Sequence, residues 1–255
     1  MRVAFNEVQV LCRKAFEGLG LDPGDGEDAA QMVAWAQLHG LDGLGALARG
    51  LSFMESDAQR PVELCYEDNG QVLLDAGGQS VLRSAVLVLE LGAAKAMRSG
   101  AASVRIRRCH NRILLLAHLA GCARRGLNVC AYWRDTRQEA VVSFAAGQGC
   151  PRLSVYRLPA GSRDDEQSLN ILLSQHFQLS QRVPEGALLI DRDADNLAET
   201  AERQLSEGIE VDPQVWDTLK RLGERVLVES TEASRLRGAG EGSESILQQM
   251  NGKSA

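Results

Sequence analysis

The chain has 255 residues, 44% of them hydrophobic, enough to bury a substantial core in one large α/β domain or in two lobes sharing an interface. Its net charge is −6, from 28 basic and 34 acidic residues, which excludes a nucleic-acid binder that relies on overall charge. No apolar run reaches the roughly 18 residues of a membrane span, and Asn6, Glu7 and Gln9 interrupt any N-terminal signal core, so a cytoplasmic protein with neither membrane nor nucleic-acid partners is expected.

Residues 6–18 carry Val8, Leu11, Ala15 and Phe16 at helical spacing and stop at Gly18-Leu19-Gly20. Asp22-Pro23-Gly24-Asp25-Gly26 reads as a turn, after which Glu27 and Asp28 open a second helix through about His39. That helix breaks at Gly40-Leu41-Asp42-Gly43-Leu44-Gly45, with His39 capping its last carbonyls. Residues 61–66 and 71–74 read as a hairpin turned at Glu67-Asp68-Asn69-Gly70.

Residues 75–133 hold the organising unit: a turn, a helix, a strand, the triplet Cys109-His110-Asn111, a second helix over 114–123 and a strand over 127–131. The first helix buries Val81, Leu82, Ala85, Val86, Leu89, Ala93, Ala96 and Met97 on one face, and Ser99-Gly100 ends it. Short strands follow at 141–144 and 153–156, on either side of Gly147-Gln148-Gly149-Cys150-Pro151. Beyond a polar connector come a helix around 168–177, a strand at 187–190, a helix over 194–205 and a last helix. Asp212 caps that last helix and Pro213 opens it, with Val215, Leu219, Leu222 and Val226 as its buried stripe.

A histidine at the end of a strand is where α/β folds display chemistry, and His110 is the candidate catalytic residue. Arg105, Arg107, Arg108 and Arg112 surround it in sequence, a cationic cluster suited to a small carboxylate or phosphate. A solvated strand edge has the same composition. Strand alternation sends Arg105 and Arg107 to one face and Val104 and Ile106 to the other. Arg49 is expected to join the arginines and His110 in a shared pocket. The six cysteines have no paired zinc spacing and no metal is expected; Cys109 alone, between arginines and His110, is a candidate reactive thiol. Residues 229–255 form a Gly/Ser-rich tail, in which Ser234, Arg235, Gly238 and Gly240 suit an anion-binding loop or simply a polar tail.

The order of these pieces resembles the malate/L-lactate dehydrogenase-like family, the non-Rossmann oxidoreductases that include sulfolactate and diketogulonate reductases. The matching pieces are Asp75, Ala96 to Gly100, Val104-Arg105-Ile106, His110-Asn111-Arg112, Gly126-Leu127 and Glu207-Gly208-Ile209 with Trp216. The resemblance covers residues 1–158 and 180–228. It implies a mixed-sheet α/β fold, a nicotinamide cofactor and a 2-oxo or 2-hydroxy acid substrate. It also places the family's proton-donating histidine at Leu44, its serine neighbour at Gly43 and its arginine at Ala48, one position before Arg49. The family's Gly-Thr-Asn-Pro is reduced to Gly149-Cys150-Pro151, and its Lys-Gly-Tyr-Gly-Leu element has no counterpart, nor does any Gly-x-Gly-x-x-Gly replace it.

The expectation is therefore a single α/β domain over 1–228, divided into a helical part (1–60), a central α/β part (61–158) and a C-terminal part (159–228). It is a mixed sheet flanked by helices and lacks much of the cofactor-binding segment. The favoured function is a non-catalytic or remodelled relative that binds a small anion without a cofactor, as a homodimer or beside a complete paralogue. A different enzyme using His110 or Cys109 ranks second, and an active NAD- or NADP-dependent oxidoreductase third.

Overall fold

The structure, a computed structural model, describes residues 1–56, 61–135, 137–159, 166–176, 184 and 186–225. A short strand, β1 (Arg2–Val3), leads into helix α1 (Phe5–Gly18), which buries Val8, Leu11, Cys12, Ala15 and Phe16 along one stripe. Helix α2 spans Pro23–Leu38 and so starts earlier than expected. Proline needs no amide donor in the first helical position, and Gly26 lies against Phe16, so the apparent turn is the first turn of the helix. His39 ends α2, with Nδ1 held 2.7 Å from the Trp35 carbonyl and its ring stacked on the Trp35 indole. The expected glycine-rich break is short. Gly40 and Asp42 turn left-handed (φ 69 and 51), and the chain re-enters helix as α3 (Gly43–Arg49) and then α4 (Leu51–Ser56).

The hairpin β2 (Glu63–Glu67) and β3 (Gln71–Asp75) forms as expected, its turn closed by the Asp68 carboxylate accepting the Gly70 and Gln71 amides. Helix α5 (Val81–Ser99) starts where the Ser80 hydroxyl accepts the Leu82 amide, and it ends at left-handed Gly100. Strand β4 (Ala101–Arg107), a 3-10 turn at Arg112–Leu115, α6 (Leu116–Arg124), β5 (Asn128–Arg134), β6 (Gln138–Phe144) and β7 (Arg152–Arg157) follow. The rest is β8 (Leu169–Ser174), β9 (Ala187–Arg192), α7 (Ala194–Glu207), β10 (Ile209–Glu210) and α8 (Pro213–Glu224).

Eight strands make one mixed sheet in the order β2-β3-β4-β8-β5-β6-β7-β9, with β3 and β4 parallel and every other pair antiparallel. Here the helix expected around 168–177 is overturned: residues 169–174 are a strand in the middle of the sheet, paired with β4 and β5. Leu169, Ile171 and Leu173 are buried while Asn170 and Leu172 face the other side, a period of two that only a strand gives. Leu172, apolar but 39% exposed, blurs that alternation in the sequence.

Helices α5 and α6 cover one face of the sheet; the main core runs from Val3 to Leu222, beside a small second cluster of Cys130, Val141 and Tyr156. Met97, expected in the buried stripe of α5, is 48% exposed, since the stripe runs through Leu89, Gly92, Ala93 and Ala96 instead. Helix α8 buries Trp216, Leu219 and Leu222 with Val215 only partly covered, and Val226 lies outside the described residues. Strands β1 and β10 pair separately, with the Met1 ammonium donating to the Val211 carbonyl. No helix among the described residues is long and apolar enough to cross a membrane.

Candidate functional site

His110 follows β4 at a sharp corner whose flanking residues, Arg108 and Asn111, both have positive φ (50 and 58). Such backbone is uncommon outside glycine and is held only where the surroundings fix it. The His110 amide donates to the Gln79 carbonyl at 3.0 Å, and its own carbonyl accepts the Val81 amide at 3.0 Å. Asn111 Nδ2 donates to the Ala46 carbonyl at 2.8 Å. A Cβ on Gly50 would come within 2.1 Å of that nitrogen, so the corner and the α3–α4 joint are fitted to each other.

The imidazole lies flat on Phe53, centroids 3.6 Å apart and planes 4° apart. Burial first, and the Arg112 charge second, lower its pKa, leaving a neutral ring at neutral pH. A neutral imidazole can accept or relay a proton but adds no charge to an anion site. Arg112 donates to Gln167 Oε1 at 3.1 Å. Cys109 is fully buried, its thiol directed at the Ile106 and Gln167 carbonyls, so it packs as a small hydrophobe and is no accessible nucleophile.

The arginines do not share one pocket with His110. Arg105 and Arg107 stand on the sheet face opposite α5, as alternation requires, while Val104 and Ile106 are buried on the other side. With Tyr66, Tyr132 and Asn170 they line a cavity of about 380 Å³. Arg105, Asn170 and Tyr132 are direct register neighbours across β4, β8 and β5. Arg105 is paired with Glu166. Arg107 is held more loosely. Asp75 accepts Arg108 Nε at 2.7 Å and the Gly77 amide at 2.9 Å, and only then meets Arg107, at 3.5 Å. The Arg108 hydrogen bond, together with the other donors, holds the Asp75 carboxyl below the usual carboxylate range despite its burial. Arg107 Nε is buried with no hydrogen-bond partner among the described residues.

Arg49 lies elsewhere, on the helix side of the sheet, paired with Asp42 at 2.9 Å and 70% exposed. It lines a second cavity, of about 420 Å³, with Trp133 and Arg192; His110 lines neither cavity. Leu44 is 3% exposed and belongs to the core, its amide donating to Gln37 Oε1. Positions 44 and 48 share one side of α3, whereas 46 and 49 lie roughly 140–200° around the helix at about 100° per residue. Arg49 therefore does not stand in for an arginine at Ala48. Ser234, Arg235, Gly238 and Gly240 lie outside the described residues. Among the described residues, no group of three or more His, Cys, Asp or Glu side chains is placed to hold a metal.

Sequence reading missed Asn170, because a helix was assigned there, and Tyr132, because only register places it beside Arg105. It also missed Phe53, Trp133 and Arg192, which no local motif marks.

A family model described as a protein of unknown function (DUF3726) matches residues 3–80. No curated protein matches the sequence. Among solved structures, malate dehydrogenase from Pyrococcus horikoshii OT3 superposes with a TM-score of 0.68 at 14% identity, covering 90% of this chain and 96% of that one. Sulfolactate dehydrogenase from Methanocaldococcus jannaschii gives 0.62 at 11%, covering 87% and 96%. Delta1-piperideine-2-carboxylate reductase from Pseudomonas syringae pvar. tomato gives 0.61 at 14%, covering 87% and 99%. At such identities the likeness is one of fold: this chain has the mixed-sheet α/β architecture of those dehydrogenases and reductases.

Proposed function

We propose that this chain is a non-catalytic relative of the malate/L-lactate dehydrogenase-like oxidoreductases, binding a small carboxylate without reducing it and without a nicotinamide cofactor. The observation that carries this reading is Leu44. It occupies the position that the resemblance assigns to the proton donor, and it is buried among core side chains with no proton to give. Ala48 stands at the expected arginine, and Arg49 points to solvent on another side of the helix. Fold and chemistry separate here, since a fold hosts a reaction only where its site residues are in place.

The carboxylate is assigned to the cavity at Arg107. Its partly buried guanidinium has an unused buried Nε–H, a distant ion pair to Asp75 and one weak hydrogen bond from Nη2 to Cys65 Sγ at 3.6 Å, while Tyr132 and Asn170 supply further polar groups. Titration with NADH or NADPH, followed by nicotinamide fluorescence, should show no saturable binding at micromolar concentrations. Leu44→His alone should produce no turnover of a simple 2-oxo acid. Calorimetry with malonate should show binding that Arg107→Ala weakens by about 1.5–3 kcal/mol if the charged hydrogen bonds are sheltered. Saturable cofactor binding with reduction of a 2-oxo acid would overturn the proposal.

A further inference from the structure

The cavity on the helix side of the sheet has a different chemistry from the one at Arg107. Its floor is apolar: Trp133, Leu153, Val155 and Ile190, contributed by β5, β7 and β9. Its rim carries two guanidinium groups, Arg49 on α3 and Arg192 at the end of β9. The two differ in how they are occupied. Arg49 is paired with Asp42. Arg192 makes one hydrogen bond, from Nη1 to the Gly40 carbonyl at 3.2 Å, and no ion pair among the described residues. The carboxylate in the lining, Asp135, accepts the Arg137 and Gln138 amides and is tied to its own loop.

An apolar floor with a cation at its edge selects a ligand that is itself amphipathic. At about 420 Å³ the space falls within the roughly 300–1,000 Å³ typical of small-molecule sites. We infer that this cleft binds a monoanionic amphiphile, an aryl or medium-chain carboxylate, with its apolar body on Trp133 and its carboxylate on Arg192. The side of α3 that borders it carries Ala46 and Arg49, roughly 140–160° around the helix from Leu44. The site is thus separate from the family's proton-donor position and from the Arg107 cavity on the far face of the sheet.

Trp133 provides the readout. Titrating the full chain with decanoate should change tryptophan emission saturably, and Trp133→Phe should remove that change. 8-Anilinonaphthalene-1-sulfonate should bind once per chain and be displaced by decanoate but much less by the uncharged decanol. Arg192→Gln should weaken decanoate at least about tenfold, as expected for a lost charged hydrogen bond, while Arg107→Ala leaves it unchanged. Arg49→Gln, at the exposed rim arginine already paired with Asp42, should weaken it less. Equal affinity for decanoate and decanol, unaltered binding in Arg192→Gln, or loss of binding in Arg107→Ala would each overturn the assignment. Failure of malonate to bind at Arg107 would leave it standing.

Discussion

Three histidines are buried enough to resist protonation. For His39, His110 and His118, burial is the largest cause lowering the pKa; at His118 the charges of Asp28 and Glu90 pull the other way and Arg125 adds to the lowering. His118 Nε2 is buried with no hydrogen-bond partner among the described residues. In the unfolded chain each ring titrates near its ordinary value of about 6.5. As pH falls through that value the unfolded state takes up protons before the folded state does, so stability drops; above it the stabilisation is fully present. The urea midpoint should therefore be lower at pH 5.5 than at pH 7.5, and His118→Gln should shrink the difference. An unchanged midpoint in the wild type would refute this account. Asp75 acts in another window. Its depressed pKa stabilises the fold above the ordinary carboxylate value of about 3.9 and is lost only as pH falls through the lower folded value. Of these environments, only the contact of His39 with a carbonyl at the end of α2 was legible from sequence. His110 was located correctly as a residue following a strand, but Phe53 against its ring and Gln79 on its amide come from distant segments that no local pattern connects.

At the scale of elements, local signals worked where caps and periodicity agreed. Gly100 ends α5, Asp212 and Pro213 open α8, and Asn69-Gly70 turns the β2–β3 hairpin. They failed at Gly24 and Gly26, which imitate a breaker inside the first turn of α2 though only Gly26 is packed, against Phe16, and at 169–174, where tertiary pairing decides. The seam between α5 and the sheet rests on another such glycine. A Cβ on Gly92 would stand 2.2 Å from Val104 Cγ2 and 3.4 Å from Leu173 Cδ1. Gly92→Ala should gain up to about 1 kcal/mol of helix propensity yet lose about 1–3 kcal/mol to overpacking. The net change in urea unfolding should be destabilising, with an unaltered m value. Combining it with Val104→Ala should cost less than the two single changes summed, because the second substitution makes the space the first one needs. Additive losses would show that the seam is looser than its geometry implies.

At the scale of the molecule, sequence gave the fold class and most of the element order, but not the sheet order, because strand neighbours are set by burial across the whole chain. One main core joins α1, the sheet and α8. The chain should unfold in one transition, with tryptophan emission, from Trp35 on α2, Trp133 on β5 and Trp216 on α8, coinciding with far-UV circular dichroism; separated transitions would divide the chain into lobes. The position of β8 has a further consequence, for synthesis. Strands β4 and β5 are both complete by residue 134, yet their shared neighbour is residues 169–174. Until the ribosome delivers that segment, the β2–β4 and β5–β7 groups have no strand to join them, and each presents an open edge to solvent or to a chaperone. Closure of the sheet waits on a late, long-range insertion, the kind of contact that slows folding. A nascent chain stopped before residue 169 should therefore be held by chaperones and cut by protease at positions that a chain extended past 225 protects.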